Sequence, residues 1–166
     1  MLLFQTTPSS AQTPPSSRLA WQRAVSWVLV ILWAGVIFFM SSHTGSDFKQ
    51  GTDFVAIIKM HLDSAQQALF GPGVDIVSSL AHFCEYTVFG LFLRNATGRH
   101  FSPLVAFAIA VALGSLYGVS DEFHQLFVPG RACDPADWLV DTLGTALGAS
   151  IMHIMSVRRA HKKKGA

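Results

Sequence analysis

Several ionisable side chains lie together in one short stretch of the sequence, YGVSDEFHQLFVPGR, at the end of a long apolar run. It contains the neighbouring carboxylates Asp121 and Glu122, followed by His124, Gln125 and Arg131. Neighbouring carboxyl groups can serve as a general acid and a general base, and a histidine can carry the proton between them. An arginine can hold a phosphate or a carboxylate through two parallel hydrogen bonds. The stretch therefore predicts acid–base chemistry on an anionic substrate.

Two further stretches offer the same kinds of side chain at helical spacing. His82, Glu85 and Tyr86 are three and four residues apart, and Asp137 and Asp141 are four apart. Such spacings place side chains on one face of a helix. The candidate catalytic residues are His82, Glu85, Asp121, Glu122, Asp137 and Asp141, and the candidate substrate-binding residues are Tyr86, Gln125 and Arg131.

The composition indicates that a lipid bilayer surrounds the elements that position these residues. The 166-residue chain is 51% hydrophobic and 13% charged, with a mean hydropathy of +0.40. Soluble domains carry about 25% charged residues. The net charge of +2 is too small to favour a nucleic-acid partner. We therefore expect a membrane protein whose main partner is the bilayer.

Four apolar runs predict an all-α polytopic bundle of four transmembrane helices, at about residues 20–40, 74–93, 103–120 and 138–155. A cleaved signal peptide is the alternative for the first run. We favour a retained helix because no clear small-x-small cleavage site follows it. Between the first two runs, TDFVAIIKMHLDSAQQALF has the periodicity of an amphipathic helix, either on the membrane surface or capping the bundle.

The transmembrane domain is predicted over residues 19–157, between a Ser/Pro-rich disordered tail at 1–18 and a basic tail at 158–166. Basic residues lie before the first run, between the second and third, and after the fourth. By the positive-inside rule, both termini are expected in the cytoplasm. All candidate site residues then lie on the extracytoplasmic side. Small residues recur at every fourth position beside them, at Ala106, Ala110, Gly114, Gly118, Gly144 and Gly148.

Three of these motifs resemble those of the VanZ-like membrane proteins. HFCEY at 82–86 resembles HFxEY, DEFHQLFVPGR at 121–131 resembles DExxQxFxPGR, and DWLVDTLGTALG at 137–148 resembles DxxxNxxGxxxG. FFMSS at 38–42 is similar to the end of the family's first helix. One position departs from the pattern: Ser79 stands where the family often has a basic residue. The resemblance implies a bacterial cell-envelope protein of the cytoplasmic membrane, in a family whose named member is linked to teicoplanin resistance.

Two functions stay open from the sequence. The cluster is either an enzymatic site for an amphiphilic or lipid-linked envelope substrate, or a non-catalytic binding or structural feature that pins the helices. No cofactor is expected. A divalent metal on His82, Glu85, Asp121 and His124 is a less favoured alternative because the spacing is not diagnostic. Neither the oligomeric state nor a disulfide between Cys84 and Cys133 follows from the sequence.

Overall fold

The computed structural model describes residues 15–43, 61, 64–68, 76–129, 131 and 133–165. It contains four long helices: α1 at Pro15–Ser41, α2 at Ile76–Thr97, α3 at Pro103–Gln125 and α4 at Pro135–Lys164. Each has the length and apolar composition needed to cross a membrane. The described residues include no strand. The predicted all-α bundle of four membrane-crossing helices is confirmed.

The helices extend beyond the apolar runs that predicted them. α3 continues past Ser120 to Gln125, and α4 begins at Pro135 instead of Trp138. Proline suits the first turn of α4, and the Asp134 carboxylate accepts a hydrogen bond from the Ala136 amide, 2.8 Å away. Residues 15–18, part of the predicted disordered tail, are helical, and so are residues 158–164 of the predicted basic tail. Extending an existing helix adds a hydrogen bond for each residue fixed, so its ends need not coincide with the apolar run.

Most of the predicted amphipathic segment lies outside the described residues. Within it, residues 64–68 are helical and Ala65 of the predicted apolar face is exposed. Gln66 is buried, and its Oε1 accepts a hydrogen bond from the Val77 amide, 2.8 Å away. Because the first amides of a helix lack partners within it, this contact caps the start of α2.

Successive helices run antiparallel, so the bundle has two chemically different ends. We call the end at the turn between α2 and α3 the basic end, and the end at the turn between α3 and α4 the acidic end. At the basic end, Trp27 Nε1 lies 3.3 Å from His100 Nε2, which joins α1 to the turn between α2 and α3. At the acidic end, Ser42 Oγ lies 3.1 Å from His124 Nε2, which joins the end of α1 to α3. The side-chain carboxylates of the described residues all lie toward the acidic end.

α2 and α4 pack most extensively, and glycines make this possible. Gly144 and Gly148 lie against the backbone carbonyls of Phe83 and Thr87, and a Cβ on Gly144 would be 2.6 Å from the Phe83 oxygen. Gly90 of α2 lies in the same way against the backbone of Thr145. The predicted small-residue motif of the fourth run thus packs against the second helix. This close contact brings His82 of α2 beside the polar start of α4.

The outer surface of the bundle is apolar, whereas its interior includes polar side chains. Large hydrophobic residues such as Ile31, Leu104 and Leu116 are exposed. Asp141 and Thr145 are fully buried between the helices. An apolar exterior of this extent is suited to contact with lipid, and polar groups in such an interior need partners within the protein.

Candidate functional site

Four ionisable side chains meet inside the acidic end of the bundle and form what we call the central cluster: His82, Asp121, Glu122 and Asp141. Each is at most 6% exposed. One nitrogen or carboxylate oxygen from each lies within 4.8 Å of the corresponding atom of every other member. Three different helices contribute, so the cluster exists only in the folded bundle.

Close helix packing explains why these groups meet. Asp121 and Glu122 belong to the last turn of α3, one turn beyond Gly118. α4 approaches α3 at Gly118, where a Cβ would lie 3.4 Å from the Cβ of Asp141. The glycine contacts between α2 and α4 place His82 on the other side of Asp141. A single carboxylate on α4 therefore faces ionisable groups from both neighbouring helices.

Hydrogen bonds orient all four members. His82 Nδ1 lies 3.2 Å from Asp141 Oδ1. Gln125 is buried, and its Nε2 donates to Asp121 Oδ2 at 3.4 Å and to Glu122 Oε1 at 3.2 Å. The Asp134 amide donates to Glu122 Oε2 at 2.8 Å. Glu122 is thus held from both sides, and it ties the end of α3 to the start of α4.

Other polar atoms at the centre have no hydrogen-bond partner. They are Asp121 Oδ1, Asp141 Oδ2 and the hydroxyl of Tyr86, which is itself 0% exposed. Asp141 and Asp121 are the charged groups with the strongest electrostatic effect on Tyr86. The buried Ser41 hydroxyl of α1 also interacts with Asp121. Buried polar groups are nearly always paired, so these atoms are exceptions to that rule.

Three predicted site residues surround the central cluster, and we call them the rim: Glu85, Asp137 and Arg131. All three are half-buried. Glu85 interacts electrostatically with Asp121, Asp141 and Arg131, and Asp137 with Glu122 and Asp141. Arg131 Nη2 donates to the His43 carbonyl at 3.2 Å. The nine predicted site residues therefore lie at one end of the bundle, and their chemical roles stay a prediction.

The structure changes the set of residues that could bind a metal. Of the four ligands considered from the sequence, only His82 and Asp121 belong to the central cluster. Glu85 lies at the rim, and His124 contacts Ser42 and stacks on Phe38 with ring centroids 4.4 Å apart. Glu122 and Asp141 complete the four-residue group instead. Spacing along one helix could not show this because the contact between α3 and α4 selects the ligands.

Sequence reasoning missed several residues around the site. The Asp134 amide, Ser41 and Ser42 contact the cluster or its neighbours, yet none was a candidate. Serines that end an apolar run and an Asp-Pro pair before a helix are recognisable signals. Ser79, at the position where a basic residue was expected, places its Oγ 3.5 Å from Asp137 Oδ1. It faces the rim, as the family pattern implies, but with a neutral side chain.

An apolar groove on the outer surface of the bundle includes Glu122 in its lining. It has a volume of about 280 Å³ and lies between the end of α3 and the start of α4. Its walls include Val119, Leu126, Cys133 and Trp138, and Glu122 is its acidic member. Cys84 and Cys133 are both exposed free thiols. The groove and the central cluster share Glu122 as a common residue.

Comparisons with known proteins agree with this architecture. A family model described as VanZ/LLP1 matches residues 26–156. The match runs from α1 into α4 and includes the central cluster, the rim and the groove. Neither the curated proteins nor the solved structures compared with the chain gave a match. The family match, which covers most of the chain, therefore identifies this four-helix membrane protein as a member of the VanZ/LLP1 family.

Proposed function

We propose that this protein acts on an amphiphilic or lipid-linked envelope substrate at the outer face of the bacterial cytoplasmic membrane. The observation that carries the proposal is the position of Glu122, which belongs both to the apolar groove and to the polar central cluster. Its carboxylate belongs to the buried central cluster, and its side chain also lines the apolar groove. The apolar chain of a substrate would occupy the groove, and its polar group would reach the cluster and the rim.

The orientation of the bundle rests on its charge distribution. Arg18, Arg23, Arg94 and Arg99 lie toward the basic end together with the C-terminal basic residues. Positive residues flanking membrane helices are retained on the cytoplasmic side. Both termini would then be cytoplasmic, and the groove and cluster would open toward the outer leaflet, where envelope precursors are used.

The chemistry that suits this site is hydrolysis or transfer at the polar linkage of the substrate. His82, Glu85, Asp121, Glu122, Asp137 and Asp141 supply acids and bases in several positions. Arg131 would hold a phosphate or carboxylate at the rim. Gln125 would orient two carboxylates from inside the bundle. The buried hydroxyl of Tyr86 would donate a hydrogen bond to the substrate. Altered handling of such a substrate is how the protein would influence glycopeptide sensitivity.

A structural role is the second candidate, and one observation favours it. Glu122 accepts hydrogen bonds from Gln125 and from the Asp134 amide, so it holds the end of α3 to the start of α4. In this alternative the cluster would fix the helices and would perform no reaction. Both candidates predict an effect when Glu122 is substituted. The proposed function predicts loss of the phenotype, whereas the structural role predicts loss of the folded protein.

Replacement of Glu122→Gln and Arg131→Lys in cells separates the two candidates. Glutamine keeps the size and acceptor oxygen of Glu122, and lysine keeps the charge of Arg131 but not its paired donors. Membrane levels of each variant are measured alongside sensitivity to teicoplanin and the amounts of lipid-linked envelope precursors. The lipid-facing substitution Leu116→Ala is the matched control. Loss of phenotype at normal protein level supports the proposal, whereas disappearance of the protein supports the structural role.

A further inference from the structure

We propose that the central cluster is a metal site in which His82, Asp121, Glu122 and Asp141 bind one divalent transition-metal ion, Zn²⁺ or Mn²⁺. The inference deepens the proposed function, and rests on it for the reaction that the ion would assist. Binding of the ion itself depends only on the side chains. It can therefore be tested without knowledge of the substrate.

The separation of the four groups is close to that of ligands around one ion. Their candidate ligand atoms all lie within 4.8 Å of one another. With metal–ligand bonds of about 2.0–2.2 Å, two ligands on opposite sides of an ion are about 4.4 Å apart, and tetrahedral neighbours are about 3.4 Å apart. His82 Nδ1 and Asp141 Oδ1, at 3.2 Å, already have nearly the second separation. The widest pair would have to close by about 0.4 Å to lie on opposite sides of one ion, and by about 1.4 Å to become tetrahedral neighbours.

Charge gives the second argument. Three carboxyl groups and one imidazole occupy this small buried volume. Within the part of the chain that the structure describes, His82 is the basic side chain inside the cluster, and its Nδ1 contacts Asp141. Arg131 stays at the rim, where Nη2 donates to a backbone carbonyl. Buried carboxylates that repel one another require a compensating positive charge, and a divalent cation would supply it at the centre.

The unpartnered atoms give an argument that does not depend on the acidic cluster alone. The hydroxyl of Tyr86 is fully buried and has no hydrogen-bond partner, and Asp141 and Asp121 both act on it electrostatically. In the proposed site it would donate to a metal-bound water or to a substrate oxygen. Asp121 Oδ1 and Asp141 Oδ2 are also unpartnered. The second oxygen of each carboxylate already has a hydrogen-bond partner, which is Gln125 for Asp121 and His82 for Asp141.

The surrounding donors resemble the outer shell of a metal site. Gln125 Nε2 and the Asp134 amide fix Asp121 and Glu122 through hydrogen bonds of 2.8–3.4 Å. Ionised carboxylate oxygens keep further lone pairs, so these bonds leave both groups able to bind an ion. Such partners orient the ligands and raise affinity. One imidazole with three carboxylates, and no thiolate, favours Zn²⁺ or Mn²⁺ over soft ions such as Cu⁺.

A bound ion would supply Lewis-acid polarisation of a phosphoryl or carbonyl oxygen, or activation of a water molecule. Either chemistry suits the polar linkage of an amphiphilic envelope substrate. The groove would then bring that linkage to the ion along Glu122.

Metal analysis of the purified full-length protein tests the proposal. The protein in detergent is stripped with a chelator, reloaded with ZnCl₂ or MnCl₂, desalted, and measured for metal by mass spectrometry. We expect about one ion per chain in the wild type and in Asp134→Asn, which removes a carboxylate at the same end of the bundle but keeps a helix cap. We expect at least about a tenfold loss of affinity in Asp141→Asn and His82→Asn. Cobalt loading adds a visible spectrum that reports nitrogen ligation and should change in His82→Asn.

The outcomes separate this proposal from the proposed function. Wild-type protein that retains no ion overturns the metal site, and so does equal retention by Asp134→Asn and Asp141→Asn, which would indicate an adventitious ion. If the ion binds as expected while cells carrying Glu122→Gln behave as wild type, the metal site stands and the proposed function fails. If no ion binds but Glu122→Gln abolishes the phenotype, the reverse holds. Because metal retention by the wild type is measured directly, misfolding of a variant does not remove the test.

An independent observation at the basic end carries a second inference. We infer that Arg94, Arg99 and Arg159 form a binding site for a phosphate-bearing anion. Arg94, in the last turn of α2, is only 3% exposed. Its Nη2 lies 3.2 Å from His153 Nδ1, and its Nε has no hydrogen-bond partner. Within the described residues, the side-chain carboxylates lie at the opposite end.

A buried guanidinium without a counter-ion is costly, because arginine stays charged and its donors lose water. The three arginines line one open cavity of about 340 Å³, together with the polar side chains of Asn95 and Ser156. Gly98 makes room for this arrangement, since a Cβ there would collide with Arg94 Nη1. A phosphate would accept hydrogen bonds from several guanidinium groups and balance their charge.

The source of the phosphate is either an anionic lipid headgroup or a soluble phosphate. Phosphatidylglycerol, phosphatidylcholine and inorganic phosphate are therefore added separately to the delipidated protein, and binding is followed by native mass spectrometry and thermal shift. A lipid site predicts retention of phosphatidylglycerol in preference to phosphatidylcholine. A soluble-anion site predicts stabilisation by millimolar inorganic phosphate alone.

Variants show whether the cavity is responsible. Arg94→Gln and Gly98→Ala should each weaken binding of the phosphate-bearing ligand at least about tenfold. Arg158→Gln, which removes a neighbouring charge that does not line the cavity, should leave it unchanged. Equal binding by all three variants would overturn the site and indicate general attraction to the basic tail. Gly98→Ala retains every charge, so a fold defect in Arg94→Gln leaves the test valid.

Discussion

The imidazole of His82 lies 3.2 Å from the carboxylate of Asp141, measured from Nδ1 to Oδ1, and this contact joins α2 to α4 inside the bundle. Both side chains are buried, and Asp141 is fully so. The same two helices meet through Gly144 and Gly148 further along α4. The polar contact therefore depends on close helix packing about one and two turns further along α4.

Asp141→Asn should cost little stability and much function. Asparagine keeps the size of the side chain and an oxygen that can accept from His82. Polar contacts between membrane helices contribute about 0.6 kcal/mol on average, so we expect a decrease in unfolding free energy of about 1 kcal/mol or less. Unfolding in mixed detergent micelles measures this change. A much larger loss would mean that the charged pair itself holds the bundle together.

Gly148→Val should separate α2 from α4. A Cβ at this position would overlap the backbone carbonyl of Thr87, which cannot move without displacing α2. Overpacking of this kind costs about 1–3 kcal/mol or more. The thermal midpoint of the purified protein should fall accordingly. Gly35→Ala is the matched control because a Cβ there has no neighbour within 4 Å, and its midpoint should not fall.

Gln125→Leu should impair the site while leaving the helices in place. Leucine has a similar volume but removes the donor that Asp121 and Glu122 share. Loss of an orienting partner typically lowers metal affinity or activity by about 10–100-fold. Metal retention and teicoplanin sensitivity are measured at matched membrane levels. Wild-type values for both would show that Gln125 does not position the two carboxylates.

Val119→Trp should block the groove. Val119 lines its wall and is half exposed, so an indole would occupy the space without disturbing the interior. The proposed function then predicts accumulation of the lipid-linked substrate with normal metal retention. Val105→Trp, on an exposed position of the same helix at the basic end, is the control. Accumulation in both variants, or in neither, would contradict a role for the groove.

Thiol labelling should reveal the orientation of the bundle. Cys133 is exposed at the acidic end, and we expect it to react in intact cells with a maleimide that cannot cross the membrane. In a variant with Cys84→Ser and Cys133→Ser, a cysteine introduced by Ala160→Cys should react only after permeabilisation. The opposite pattern would place the acidic end in the cytoplasm.

Much of this architecture follows from the sequence. The four apolar runs predict the helices, because crossing a bilayer requires about 20 apolar residues in succession. Helical spacing by itself places His82 with Tyr86, and Asp137 with Asp141, on shared helix faces. Motifs around Asp121 and Arg131 resemble those of the family to which the chain belongs. These features are local, and short segments of sequence carry them.

The division between centre and rim does not follow from the sequence. Asp137 and Asp141 are four residues apart and lie on the same face of α4. Asp137 is nevertheless half exposed, whereas Asp141 is fully buried. Glu85 and His82 differ in the same way on α2. Their depth depends on where neighbouring helices approach, which the contacts of Gly118 and Gly144 determine.

Hydropathy and helical spacing in the sequence are enough to predict the membrane environment, the four helices and the concentration of ionisable groups at one end. They do not predict which four of those groups share one buried volume, nor that Arg94 is buried at an end without carboxylates among the described residues. Hydropathy and helical periodicity act along one chain segment. The selection of partners depends instead on the distance and rotation between helices, which glycine contacts far apart in sequence establish.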